Sequence, residues 1–404
     1  MSWIVCTLDD ICDKVDGHIQ TGPFGSQLHQ SDYSEVGTPV VMPKDIVNGT
    51  ISEEGIARVS EEHVLRLSRH KVRTGDILFS RRGDVGRCAY ISPKEQGWLC
   101  GTGCLRVTVD AKVADSKFIF YYLQQASAID WIEKHAIGAT MLNLNTGILA
   151  NVPIMLPSLP TQRRIASILS AYDDLIENNR CQIKLLEEAA QRLYREWFVE
   201  LRFPGHEGVK VVDGVPEGWM KRSIDDIANY LNGYAFKPAD WGMEGKPIIK
   251  IKELNEGITA NTPRNTGEDI PAKYIVHAGD IIFSWSATLT AMIWDSEDGL
   301  LNQHLFKVSP CTGIAREFVL QSILKALDEF ANLTTGSTMK HIQRGKLKQV
   351  HVAVPDKSIM TQYEVISNQI REQILLKQKQ IANLIEARDR LFPKLINGKM
   401  EVSE

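Results

Sequence analysis

Nearly all of this chain occurs twice, and that duplication limits its fold more than any other feature. "GDILFSRRGDVG" begins at Gly75 and "GDIIFSWSATLT" at Gly279. "W-x4-LDDI-x5-G", from Trp3 to Gly17, returns as "W-x4-IDDI-x5-G", from Trp219 to Gly233. "GTPVVMPKDI" at 37 returns as "GKPIIKIKEL" at 245, "CLRVTV" at 104 as "LFKVSP" at 305, "GATMLNLNTGIL" at 138 as "GSTMKHIQRGKL" at 336, and Pro157 as Pro355. The blocks keep their order while the spacing between copies shrinks, so the second copy has lost residues between the blocks, where loops tolerate deletion. Two related domains follow, as 404 residues also require.

Each copy has two parts. The first reads as short β-type runs ("TPVVM", "DILFS", "CAYI", "LRVTV") broken by Gly, Pro and Asp, with a short helix at "SKFIFYYLQQAS". This predicts a mixed α+β globule. Pro157 and Pro160 then punctuate, Thr161 is the expected N-cap, and no further Pro or Gly occurs before Pro204. Apolar residues at three- and four-residue steps (Ile165, Ile168, Leu169, Tyr172, Ile176, Ile183, Leu186, Leu193, Trp197) predict one amphipathic helix. At 1.5 Å per residue, roughly 38 residues span about 57 Å. After Pro355 the pattern returns with Tyr363, Ile366, Ile370, Ile374, Ile381, Leu384 and Leu391, and Pro393 and Gly398 mark its end.

Two such stripes bury most economically against each other as an antiparallel coiled-coil spacer, the alternative being that each packs on its own globule. Asn179, near the stripe, is either a register-fixing polar residue or an exposed one. The expected boundaries are 1–157 and 219–356 for the globules, 158–203 and 357–404 for the helices with the C-terminal tail, and 204–218 for a Gly/Pro-rich linker.

The sequence holds no constellation typical of an enzyme. "GMEGKP" at 242 lacks the spacing and the Ser or Thr of a phosphate loop, and G-x-G-x-x-G after a strand, H-E-x-x-H and G-x-S-x-G are missing. His277 and Asp280 read as solvated or locally bonded. Seven cysteines form no disulfide framework, and Cys100 and Cys104 lack a second ligand pair, so no metal is expected. The start "MSWIVCTLDDICDKV" has no basic leader and no segment could span a bilayer, which points to the cytoplasm and no membrane partner. What remains is a binding architecture in which a common strand displays unlike loops, "RRGDVGR" against "WSATLTA".

These residues resemble the specificity (S) subunit of type I restriction-modification systems. The resemblance rests on the duplicated openings, "TGPFGSQL" at 21, the two "GDI" phrases, "LNQHLFKV" at 301, "LPSLPTQRRIASILSAYDDLIENN" at 156 and "LFPKLINGKMEV" near the end. It implies two target recognition domains that each read half of a gapped target in double-stranded DNA, with the helices as a ruler placing them about one to two duplex turns apart, at roughly 34 to 36 Å per turn. It also implies a non-catalytic chain with no cofactor of its own. S-adenosylmethionine and ATP with Mg would belong to its partners, two methylation subunits and a restriction subunit. In agreement, the [ND]-P-P-[YF] motif of adenine methyltransferases is missing, since none of the 16 prolines is followed by another. A net charge of −4 runs against DNA binding unless basic residues are local or a partner supplies phosphate contacts.

Base edges are read by side chains that reach them, while phosphate contacts fix position. In the first head the candidates are Lys44, Arg81, Arg82 and Arg87, with an ordinary solvated base as the competing reading of each. Gly22, Gly25 and Ser26 in "TGPFGS" offer either backbone amides to a phosphate or a plain turn. In the second head Lys250 and Lys252 alternate as if on one strand face, and Ser284, Trp285 and Thr288 stand where the first head has its arginines. Gln303, His304, Lys340 and His341 complete the set. The repeated Thr140–Met141 and Thr338–Met339 read as architecture. A coiled-coil adaptor that never touches DNA is the competing function.

Overall fold

The computed structural model describes residues 3–12, 19–138, 141–286, 288–332 and 344–402. The chain divides into two compact units, residues 1–176 with 382–404, and residues 177–381.

Each unit builds the same four-stranded antiparallel sheet. In the first, Ile77–Ser80 lies between Cys104–Val107 and Cys88–Tyr90, with Ile19–Thr21 outermost. In the second, Ile281–Ser284 lies between Leu305–Pro310 and Thr290–Ile293, with Ala228–Asn232 outermost. Both central strands are buried on both faces. Because side chains alternate across a strand, Ile77 and Phe79 enter one apolar cluster and Leu78 another; Ile281 and Phe283 are likewise separated from Ile282.

A second sheet in each unit is organised on a parallel pair, Thr38–Val41 with Leu99–Cys100 and Lys246–Ile249 with Gly299–Leu301. A two-stranded ribbon, Ile4–Thr7 with Pro153–Leu156 or Met220–Ser223 with His351–Val354, closes each repeat. The duplication is therefore topological as well as textual.

The long helices run Leu159–Tyr194, ending in a π-turn at Arg195–Val199, and Lys357–Ile396. Thr161 does not cap the first: the helix has already begun, and Ser158 stands just outside it, its Oγ 2.8 Å from Thr161 Oγ1. Pro160 is tolerated in the first turn, where its missing N–H has no helical partner. Pro393 lies inside the second helix, which ends as Gly398 takes a left-handed φ of 63° and Lys399 N bonds the Lys394 carbonyl (2.8 Å).

Within the first unit, Ile165 and Leu169 share a cluster with Leu391, Leu395 and Ile396, and Arg388 donates to Asp173 at 2.7 Å. Within the second, Trp197 and Phe198 meet Tyr363, while Leu186 lines a recess with Gln373 and Lys377. In each unit, then, the helices pair antiparallel through stripe residues. Ile176, Asn179 and Ile374 are buried, and Tyr172, Ile183, Leu193, Ile370, Ile381 and Leu384 are partly so. Ile366 lies off the stripe and is exposed, its expected place taken by buried Ser367.

The Gly/Pro-rich segment after the first helix is more than a tether. It carries the ribbon Val211–Val212 with Val215–Pro216, and the rings of its flanks Phe203 and Trp219 pack at a tilt, centroids 4.6 Å apart, in the core of the second unit.

Candidate nucleic acid interface

The shared phrase builds a scaffold in which several bonds recur at matching positions. Asp76 accepts from the Arg73 amide and Asp280 from the His277 amide, each at 2.8 Å, closing the turn before the central strand. One strand over, Arg106 pairs with Asp76 at 3.8 Å and Lys307 with Asp280 at 2.7 Å. Arg106 also donates to the Lys71 carbonyl, as Lys307 does to that of Ile275 (2.8 Å). Burial pushes the Asp76 carboxyl above its ordinary range, against the Thr108 hydroxyl, the Arg73 amide and the cation that favour its charge.

At the strand's end Ser80 Oγ donates to the Arg82 carbonyl (3.0 Å) and Ser284 Oγ to that of Ser286 (3.1 Å). Ser284 is fully buried and so belongs to the scaffold, not to the DNA readers expected of it. Gly22 and Gly233 are also matched. A Cβ at Gly22 would sit 1.9 Å from the Gly101 carbonyl oxygen, and one at Gly233 would sit 2.1 Å from that of Asn302. Only glycine allows these strands to cross, and Gly22 N is already bonded to the Cys104 carbonyl (2.9 Å). Gly22 therefore offers nothing to a phosphate. Gly25 and Ser26 are exposed, but the neighbouring Phe24, Gln27 and Leu28 amides are satisfied within the turn.

Beyond the scaffold the heads diverge. In the first, Arg81 is half-buried with both backbone groups engaged: its amide donates to Gly103 and its carbonyl accepts from Leu144, each at 2.8 Å. Arg82 follows, exposed. Arg87 grips Asp84 through Nε (3.1 Å) and a terminal nitrogen (2.9 Å), which shapes the loop and spends the charge. Lys44 is exposed and donates to the Gly55 carbonyl (3.0 Å).

In the second head Trp285 occupies the position of Arg81. Its ring lies 6.0 Å from His304 and 5.8 Å from Phe306, and its Nε1 donates to Asn232 Oδ1 (3.2 Å). Gln303 Nε2 is 3.4 Å from His304 Nε2, while His304 Nδ1 is buried with no partner in hydrogen-bonding reach. Thr288 is exposed. Trp285, Gln303 and His304 thus gather at one strand end.

Lys250 and Lys252 do not share a strand face. The strand stops at Ile249, and Ile251–Glu256 is a helix whose first turn is capped as Glu253 accepts from the Lys250 amide (3.1 Å). Lys250 lies 5.2 Å over the Trp241 ring, and Lys252 pairs with Glu256 at 3.8 Å. Lys340 and His341 fall outside the described residues, as do Thr140, Thr338 and Met339.

The repeated phrase around Met141, read from sequence as architecture, lies against the first head's arginines. Ile137 and Asn143 exchange backbone bonds (3.1 and 2.8 Å), and Gly83 N donates to the Leu142 carbonyl (3.0 Å). Met141 stands on this loop, exposed. Its repetition was visible in the sequence; its pairing with a distant loop was not.

Among the described residues no group of three or more His, Cys, Asp or Glu could hold a metal, and no helix is long and apolar enough to cross a membrane. Burial pushes the Cys88 and Cys100 thiols up to about 12, which keeps them protonated at neutral pH.

Fold and site together define a class: a duplicated recognition scaffold with matched frameworks and unmatched loops. The chain belongs to the type I restriction modification DNA specificity domain family, whose model matches residues 2–188 and 216–401. It is similar to the MjaIX specificity subunit of a type I restriction enzyme from Methanocaldococcus jannaschii, 24% identical over 91% of this chain and 87% of the relative. It is similar also to the HindI specificity subunit from Haemophilus influenzae, 21% identical over 82% and 88%. The crystal structure of a type I restriction-modification S subunit from M. genitalium shares the fold, with a TM-score of 0.57 at 16% identity, covering 100% of this chain and 97% of that one.

Proposed function

We propose that this chain is the sequence-reading subunit of a type I restriction-modification complex, whose target is a bipartite, asymmetric sequence in double-stranded DNA. Residues 1–157 and 219–356 act as target recognition domains, each reading one half-site. Helices 158–203 and 357–404, joined through 204–218, set the gap. Two methylation subunits dock on the chain and bring S-adenosylmethionine, and a restriction subunit brings ATP and Mg.

The observation that carries this reading is the recurrence of the turn, strand and serine-cap bonds in both scaffolds beneath unlike strand-end loops. Arg81 and Arg82 are the base readers of the first head, where an arginine can fork onto guanine. Trp285, Thr288, Gln303 and His304 serve the second, with Lys340 and His341 assigned from sequence alone. Arg87, Lys44, Lys250 and Lys252 are committed to local partners and act by holding loops or meeting phosphates. The net charge of −4 favours the competing adaptor reading, which predicts no salt-sensitive DNA affinity even with partners present. The test is a genome-wide map of N6-methyladenine in a host lacking its own adenine methylases. A gapped, asymmetric motif should appear only when this chain and its methylation partner are both expressed; unchanged methylation beside an active partner would favour the adaptor.

A further inference from the structure

The first head places two large apolar side chains in water on a braced loop. Met141 and Ile137 are each 63% exposed. Single exposed apolar residues are ordinary. These two, however, stand where the described backbone is tied to the neighbouring loop. Ile137 and Asn143 are cross-bonded, Leu144 N donates to the Arg81 carbonyl (2.8 Å), and Gly83 N holds Leu142. Gly138 turns the chain at a φ of 129° where a Cβ would meet the Met141 carbonyl oxygen at 2.3 Å. A β-bridge between Arg82 and Asn143 sets this loop directly beside the exposed Arg82.

The sequence adds an independent constraint. Gly138, Thr140 and Met141 recur as Gly336, Thr338 and Met339, whereas the adjoining loop at 81–87 does not recur in the second copy. A side chain kept in two heads that read different half-sites cannot be the one that distinguishes them. It performs a task common to both. Methionine suits such a task, because its unbranched, polarisable side chain adapts to any base step, and apolar wedges of this kind are a recurrent way to grip a duplex.

We infer that Met141, supported by Ile137, is a sequence-independent apolar contact of the first head, pressing on the duplex beside the bases that Arg82 reads. The inference rests on the DNA-reading function proposed above. It assigns affinity to this loop and discrimination to the neighbouring one.

The experiment uses the full chain with its methylation subunits. Binding of a cognate duplex and of one with an altered first half-site is measured for the wild type, Met141→Ala, Met141→Leu and Ile137→Ala. Losing the buried part of one methionine side chain should weaken both duplexes by a similar factor, about tenfold. Met141→Leu should restore most of it. The thermal midpoint and the retention of methylation subunits should not change. Unaltered affinity in Met141→Ala, a loss confined to the cognate duplex, or a loss that tracks departure of the methylation subunits would each overturn the inference while leaving the DNA-reading function intact. A wild-type complex that binds neither duplex would overturn both.

Discussion

The two heads differ least where they are buried and most where the same strand emerges. Ile77–Ser80 and Ile281–Ser284 share their neighbouring strands, the aspartate that closes the preceding turn and their serine cap, then deliver arginines in one head and a tryptophan in the other. A buried framework cannot vary without leaving polar groups unpaired, so divergence is confined to the residues after the cap.

The second long helix makes one ion pair in each unit, to the head helix Arg316–Asn332 in the second and to the other long helix in the first, and their unequal burial gives the largest expected effect. In the second unit Glu317, 2% exposed, accepts two bonds from Arg371 (2.7 and 3.2 Å), while in the first the Asp173–Arg388 pair is about a third exposed. Arg371→Met would strand a buried carboxylate and cost about 3 to 5 kcal/mol. Arg388→Met should cost about 1 kcal/mol or less, because solvent screens that pair. Urea unfolding of the full chain measures both, and equal losses would break the contrast.

The scaffold itself should show no contrast. Gly22→Ala and Gly233→Ala each force a Cβ into a facing carbonyl, so each should destabilise its own unit by about 1 to 3 kcal/mol. Hydrogen exchange, unit by unit, checks this, and a tolerated substitution in either head would show that the two crossings are not equivalent.

The effect most narrowly confined, to one head and one pH window, concerns His70. His70 is buried, and its equivalent in the second head is Tyr274. Burial, with help from Arg69, lowers the His70 pKa from 6.5 to about 4, and its Nε2 accepts from Arg69 Nε (3.1 Å). The unfolded chain therefore binds a proton that the folded one refuses between those values. Stability conferred by neutral His70 is complete above pH 6.5 and is lost as pH falls toward 4, by at most about 3 kcal/mol. His70→Phe should flatten this slope in the first unit alone, as a stability profile across that window would show.

The duplication was legible as repeated phrases, the short strands as β-type runs between Gly, Pro and Asp, and both long helices through their period-3.6 stripes. Ser284 was not, since a strand buried on both faces shows no alternation to mark the serine as interior. Lys250 and Lys252 were misplaced because "IIKIK" alternates like a strand, while the signal that ends it, Glu253 capping Lys250, depends on a side chain turning back. The loop at 137–143 was legible as a repeated phrase only. Its place beside Arg82 is a long-range pairing that local sequence does not encode.

The central claim is that each head's strand-end loop reads its own half-site on a common scaffold. The most direct test gives the first head the second's residues at these positions, Arg81→Trp with Arg82→Ser, in the complete complex, and maps N6-methyladenine. The account predicts that one half of the methylated motif changes or relaxes while the other half and the gap stay as they were. A motif unchanged in both halves, or changed in the half read by the untouched head, would contradict it.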